Sequence, residues 1–246
     1  MPGDPHETSL ESKNEGPSIR HPLGTDYLGR DLLQRTLHGL RTSLSIALGT
    51  IGLAFLVGCS LGCVSGYYGG RIDEFLARII DISLAFPAII LALALAALLG
   101  PGISNLILVL ALVQWASFAR LMRGQVLSEK NQEYILSARA AGLPGWWIML
   151  HHLVPNTIMP AVVLATMDIG HTLLTVSTLG FLGVGIPPSI PEWGSMINAG
   201  LNYMHTAPQN VLVPGMAITL VTLLFNIAGE ELRDLIDEER EQGVIL

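Results

Sequence analysis

Long uncharged runs separated by short polar breaks dominate this chain, and several runs are long enough to cross a bilayer. A helix needs about 20 mostly apolar residues to traverse the hydrocarbon core. No charge occurs from Thr42 to Gly70, which predicts a span near 43–64. The stretch from Ile82 to Ala119 is also uncharged, and Gly100-Pro101-Gly102 divides it into spans over 79–99 and 103–121. Two more spans are predicted over 154–180 and 211–229. Pro87, early in the second span, predicts a kink there. Gly58, Gly62 and Gly66 recur every four residues on the first span, and such spacing lets helices pack closely in lipid.

One polar stretch between the third and fourth spans breaks this pattern. It runs from Glu133 to Asn156, EYILSARAAGLPGWWIMLHHLVPN. It has internal order: residues 132–141 read as a short helix, Gly142 is placed to end it, and Pro144 can start a second helix. The second helix carries Trp146, Trp147, His151 and His152 into the next span near Pro155. The tryptophans suit a membrane interface. A helix, a tight break and another helix predict a rigid knob. The segment 183–210 is rich in Pro and Gly, with a short amphipathic helix predicted around Trp193–Leu201.

The ends are polar. Residues 1–20 lack an apolar core for a signal peptide and read as disordered. Residues 21–229 form the membrane domain, and 230–246 form an acidic, helical, solvated tail with Glu230, Glu231, Asp234, Asp237, Glu238 and Glu239. The prediction is an all-α polytopic transmembrane bundle of about five spans.

Lysine and arginine set the orientation. The polar loop region holds Arg120, Arg123, Lys130 and Arg139, the 67–78 turn holds Arg71 and Arg78, and the tail holds Arg233 and Arg240. The intervening loops hold none. The knob, the turn and the C-terminus are therefore expected in the cytoplasm. Five spans then put residues 1–41 outside, although they carry Lys13, Arg20, Arg30, Arg35 and Arg41.

Composition narrows the function. With 13% charged residues and a net charge of −7, the chain offers no basic surface for nucleic acid. Its mean hydropathy is +0.53, far from a soluble domain. No G-x-x-x-x-G-K-[ST] pattern occurs, and the only lysines are Lys13 and Lys130, so ATP-driven work needs a partner ATPase. No catalytic constellation or cofactor motif stands out. Cys59 and Cys63 read as small buried residues, and no Cys/His spacing suits a metal. Asp168 is the one acid deep in a span, with His171 one turn further on. A charge at that depth is costly and marks a functional candidate. The pair is expected to line a translocation path, with Gln114 and Asn226 as weaker candidates; a helix–helix hydrogen bond is the plainer alternative. Scattered Met196, Met204, His171 and His205 also admit a weaker reading as a metal path.

The polar stretch resembles the EAA loop of permeases of ATP-binding-cassette (ABC) importers, E-A-A-x-x-x-G, nine residues, then I-x-L-P. Ala138, Gly142 and Pro155 match, whereas Leu136, Ser137, His152 and Val154 depart from the pattern. HPLGTDYLGRDLLQRTLHGLRTSL (His21–Leu44) and GYYGGRIDEFLARIIDISLAFPAIILAL (Gly66–Leu93) narrow the resemblance to the second permease of dipeptide, oligopeptide and nickel importers. The resemblance covers about residues 20–240. It implies that the knob is a coupling helix docking on an ATP-binding subunit. Small Ser137, Ala138, Ala141 and Gly142 would permit close approach, with Glu133 and Arg139 at the rim. It also implies two ATP-binding subunits, a second similar permease, an extracytoplasmic binding protein and a bacterial inner membrane. Short peptides are the first expected solute, and nickel or its chelates the second. The family normally has six spans, so a first span is expected to be missing here, the chain being either a natural five-span variant or a sequence whose start is placed too late. Two rival readings remain: an ion-coupled transporter or channel using Asp168 and His171, and a non-transporting membrane scaffold.

Overall fold

The computed structural model describes residues 4–187 and 189–241, with the side chains of 237 and 239–241 excepted. Residues 1–3 of the expected disordered segment, residues 242–246 of the tail, and the side chains of Asp237 and Glu239 lie outside the described residues. Helices carry the described chain; the lone β-bridge pairs Thr25 with Asp31. In lipid the backbone has no water to bond, so each segment satisfies its own N–H and C=O groups as a helix. The long helices are α1 (Leu32–Tyr68), α4 (Ile103–Glu129), α8 (Met159–Phe181) and α10 (Gln209–Glu241). Between them lie α2 (Gly70–Ala85), α3 (Ala88–Leu99), α5 (Glu133–Ala140), α6 (Gly145–Ile148), α7 (Val154–Thr157) and α9 (Trp193–Gly200).

Among the described residues, four helices are long and apolar enough to cross a membrane, and α2 with α3 makes a fifth candidate, bent by 93°. The expected kink at Pro87 is thus a full break. Proline forces the preceding residue out of the helical region, and Phe86 sits at φ −85°, ψ 139°. The predicted first span is the middle of the longer α1, which starts where the Asp31 carboxylate accepts the Gln34 N–H at 2.9 Å. The predicted fifth span and the acidic tail as far as Glu241 are one helix, α10.

The Cα positions group into two compact units. The first comprises Met1–Gly49, Leu93–Val109 and Ile169–Leu224. The polar N-terminus, expected to be disordered, is instead hydrogen-bonded into this unit. The Thr25 hydroxyl donates to the Ser12 carbonyl, and the Asn210 amide donates to Asn14 at 2.8 Å. Asp26 organises the following turn by accepting the Leu28 and Arg30 N–H groups and pairing with the Arg30 side chain at 2.7 Å. The predicted amphipathic helix is α9. Trp193 and Met196 bury its apolar face with Leu32 and Ile218, and the indole N–H donates to the Thr36 carbonyl at 3.0 Å.

Glu192 starts α9. Its carboxylate accepts the N–H groups of Gly194 at 2.7 Å and Ser195 at 2.8 Å, while the residue is fully buried at 0% exposure. Gly180 leaves room for it, since a Cβ there would collide with the carboxylate. Burial pushes the Glu192 carboxyl up to about 7, against the opposing pull of the two backbone N–H groups. It lies on the loop after α8, outside the spans.

The second unit comprises Thr50–Ala92, Leu110–Asp168 and Phe225–Leu246. Here α1 and α4 meet backbone to backbone. A Cβ on Gly58 would collide with the Trp115 carbonyl, one on Gly62 would lie 3.0 Å from Ala119 Cα, and one on Gly66 would lie 2.9 Å from Val126 Cβ. The expected small-residue seam is therefore real, and α4 is its partner. Below it, Arg123 makes a two-point contact with Asp73 at 2.5 and 2.8 Å, and Ser65 Oγ donates to the same carboxylate at 2.6 Å. Cys59 and Cys63 are free and buried on this part of α1.

Two outcomes follow. Gly62→Val should push α1 off α4 and destabilise the detergent-solubilised chain by about 1–3 kcal/mol, read as a lower Tm. The Glu192 carboxyl has a raised folded-state pKa, so the stability it contributes is complete below its ordinary value of 4.5 and lost as pH rises through about 7. The Tm of the wild type should therefore fall across that window, and Glu192→Gln should flatten the fall.

Candidate functional site

The knob is built as the spacing predicts. α5 ends in a Schellman motif: the Gly142 N–H donates to the Arg139 carbonyl at 3.0 Å, and the Leu143 N–H to the Ala138 carbonyl at 3.2 Å. Gly142 takes φ +79°, a conformation suited to glycine. Pro144 then caps α6. The helical path continues from α6 through one π-turn, Met149–Leu153, into α7. Pro155 explains the π-turn. It has no N–H to donate and its ring crowds the carbonyl one turn back, so the widened turn absorbs the conflict.

Each helix has an inward and an outward side. Ile135, Ala138, Ile148 and Leu153 are buried. Glu133, Ser137, Arg139, Ala140, Ala141 and Gly142 are exposed, as are Leu136 at 48% and Leu143 at 38%. Of the six expected docking residues, five face out, and Ala138 packs inward at 9% exposure. Leu136, which departs from the EAA pattern, is the larger exposed apolar group.

The base of the knob is tied down. Tyr134 donates its hydroxyl to Glu129 at 2.8 Å and accepts the Asn156 amide at 3.2 Å. Burial, then the Glu129 carboxylate, pushes the Tyr134 phenol up to about 12, further from ionisation than an ordinary tyrosine. Trp147 stacks on His151 with centroids 3.7 Å apart. Trp146 and Trp147 are both exposed, as interfacial rings would be.

The sequence did not single out Tyr67, and its side chain touches both helices of the knob. The Arg139 guanidinium lies 4.9 Å from its ring centroid, and a Cβ on Gly145 would lie 3.0 Å from its Cε1. The one available signal was an aromatic pair, Tyr67-Tyr68, at the end of an apolar run.

The candidate path residues are spread over three helices. Asp168 and His171 stand one turn apart on α8, the first half-buried and the second exposed. Gln114 is half-buried on α4, and Asn226 is exposed on α10. Asp168 and Gln114 are both engaged by other groups. Met196, weighed as a metal ligand, is packed into an apolar cluster instead. Among the described residues, no group of three or more His, Cys, Asp or Glu side chains is placed to hold a metal ion.

The sequence profile of the family described as binding-protein-dependent transport system inner membrane component matches residues 58–241. The chain is similar to a dipeptide transport system permease protein, DppC, of Alkalihalophilus pseudofirmus. The two are 42% identical over 94% of this chain and 76% of that protein. A glutathione transport system permease protein, GsiD, of Pectobacterium atrosepticum is also 42% identical, over 91% of this chain and 74% of that protein. A nickel transport system permease protein, NikC, of Escherichia coli is 37% identical, over 96% of this chain and 86% of that protein. In fold, the chain resembles a structure titled as inward facing conformations of the MetNI methionine ABC transporter. Its TM-score is 0.67 at 17% identity, covering 82% of this chain and 97% of that one.

Gly142→Val tests the knob's construction. A β-branched residue at this positive φ costs about 1–2 kcal/mol. Backbone amides of 138–146 should then exchange with deuterium faster than in the wild type, while those of α4 keep their protection.

Proposed function

The chain belongs to the family of binding-protein-dependent transport system inner membrane components, and from that premise we propose that α5 and α6 form the face on which the ATP-binding subunits dock. As a permease subunit of an ABC importer it is a transport component, working with a substrate-binding protein and ATPase subunits in the inner membrane. The observation that carries the docking reading is the exposed rim of the knob. Leu136, Ala140, Ala141 and Leu143 face outward on a rigid frame. Covering an exposed leucine contributes at most about 1.5–3 kcal/mol, so each of the two leucines supplies one part of a docking contact and not the whole of it. Glu133 and Arg139 supply charge at the edge, and Ser137 and Gly142 let a partner backbone approach.

The assembly we propose holds two ATP-binding subunits, this chain, a second similar permease and one extracytoplasmic binding protein. The distribution of arginine and lysine supports a cytoplasmic knob and C-terminus. Closure of the ATP-bound partners would move the knob as a body and switch access from one side to the other. Asp168, His171, Gln114 and Asn226 are proposed to line the path. Short peptides are the proposed solute class, with nickel or its chelates second, in keeping with the names of the relatives.

Mild-detergent purification of the tagged chain, with mass spectrometry of what accompanies it, tests the docking face. The wild type should bring ATP-binding subunits. Leu136→Glu with Ala140→Glu should reduce their recovery more than about tenfold, since two buried contacts are replaced by charge. Undiminished recovery with this double variant would overturn the docking face.

A further inference from the structure

We propose that Tyr67 is the joint through which the α5–α6 knob moves α1. The proposal rests on the docking reading and adds the route by which motion leaves the knob. Tyr67 stands one residue before the end of α1, and its ring meets both knob helices at once. Arg139, in the last turn of α5, holds its guanidinium 4.9 Å from the ring centroid. Gly145, at the start of α6, brings its backbone so close that a Cβ would lie 3.0 Å from Tyr67 Cε1 and 3.2 Å from its Oη. A side chain on residue 145 would push the ring away. The ring therefore sits against α5 and α6 on either side of the Gly142 break. Displacing the knob displaces the ring.

The end of α1 is fastened so that the displacement is not dissipated. Lys130 Nζ donates to the Gly66 carbonyl at 2.8 Å, capping the last turn of α1 with a charge from the end of α4. Ser65 Oγ donates to Asp73 at 2.6 Å, and Asp73 takes the two-point contact from Arg123 on α4. Gly66 packs against Val126 with no side chain between. Sliding α1 along α4 would break all of these contacts together. The last turn of α1, the start of α2 and the end of α4 are thus one block, and Tyr67 is where the knob touches it. α1 has 37 residues, about 55 Å at 1.5 Å per residue, so a tilt imposed at Tyr67 acts on a long lever. The rival reading makes Tyr67 an interfacial anchor only. An anchor would matter for insertion and assembly, not for transmission.

The test uses the whole complex, purified with its ATP-binding subunits into lipid nanodiscs. Cys59 and Cys63 are replaced by alanine, and exposed Ile72, at the start of α2 in the block that holds the end of α1, by cysteine carrying an environment-sensitive fluorophore. ATP with vanadate then closes the partner subunits, and the probe reads the end of α1. With Tyr67 intact, a fluorescence shift is expected. Tyr67→Ala should keep the bound ATP-binding subunits and lose the shift, and Tyr67→Phe should restore it. Tyr67→Leu, which keeps bulk without the aromatic face, is the second variant should Tyr67→Ala assemble poorly. It too should bind the subunits without the shift. A full shift in either variant, or no shift with Tyr67 intact and the subunits bound, overturns the joint. Loss of the subunits together with the shift in both variants also overturns it, because Tyr67 would then belong to the docking face or to assembly. Failure of the docking reading looks different: the chain with Tyr67 intact would then carry no ATP-binding subunits.

Discussion

The close approach of α1 and α4 is the constraint on which the second unit depends. Three glycines at four-residue spacing remove every side chain from one stripe of α1, and the backbone of α4 fills the space. Hydrophobic burial cannot drive this contact in lipid, where the tails are as apolar as leucine; close packing can. Once the seam is set, the polar contacts at its lower end come into register. Arg123 on α4 and Lys130 just past its end lie seven residues apart, about two turns, and therefore on one side of the helix. One reaches Asp73 at the start of α2, and the other reaches the Gly66 carbonyl in the last turn of α1. A charged group near a helix C-terminus satisfies acceptors that the helix leaves open. The seam thus places the end of α1, and with it Tyr67, beside the knob.

The knob is rigid for reasons of backbone chemistry rather than bulk. α5 has eight residues and α6 four, too short to be stable helices alone. The Schellman bonds at Gly142 close the carbonyls of one helix while Pro144 starts the next, so no residue of the turn is left free to swing. Ile135, Ala138, Ile148 and Leu153 hold the inner face, and a π-turn carries the helical path past Pro155. Outside, Leu136, Ala140, Ala141, Gly142 and Leu143 make a small apolar patch, with Glu133, Ser137 and Arg139 exposed around it. Water does not favour such a surface, and a protein groove does.

Much of this was legible in the sequence. Charge-free runs gave the number of candidate spans, because crossing lipid demands length and little else. Gly142 and Pro144 gave the knob's break, because each residue does one thing well. Gly58, Gly62 and Gly66 gave a contact but not its partner, since spacing on one helix says nothing of the facing helix. Pro87 was visible as an irregularity, but its size was not: a kink and a 93° break have the same local cause and differ in what packs around them. The order in residues 12–16 was hidden. Its composition is that of a loop, and the hydrogen bonds that hold it come from partners as distant as Asn210. Tyr67 was hidden for the same reason, because its significance lies in two contacts about seventy residues away.

Glu192 shows how far burial can change the meaning of one letter. In sequence it is a lone acid in a Pro- and Gly-rich loop, easily read as solvated. In the fold it is a helix cap without access to water, held by two backbone N–H groups. Those bonds favour the carboxylate, and burial opposes it more strongly, which leaves the group near the midpoint of its titration at neutral pH. Gly180 and Gly194 are part of the same arrangement. A Cβ on the first would strike the carboxylate, and one on the second would strike the Ser177 carbonyl. Gly180 thus makes the space that the acid occupies, and Gly194 lets the start of α9 approach the backbone of α8. The start of α9 is fixed against α8 by polar fit rather than apolar bulk, and an arrangement of that kind responds to a single proton where an apolar contact would not.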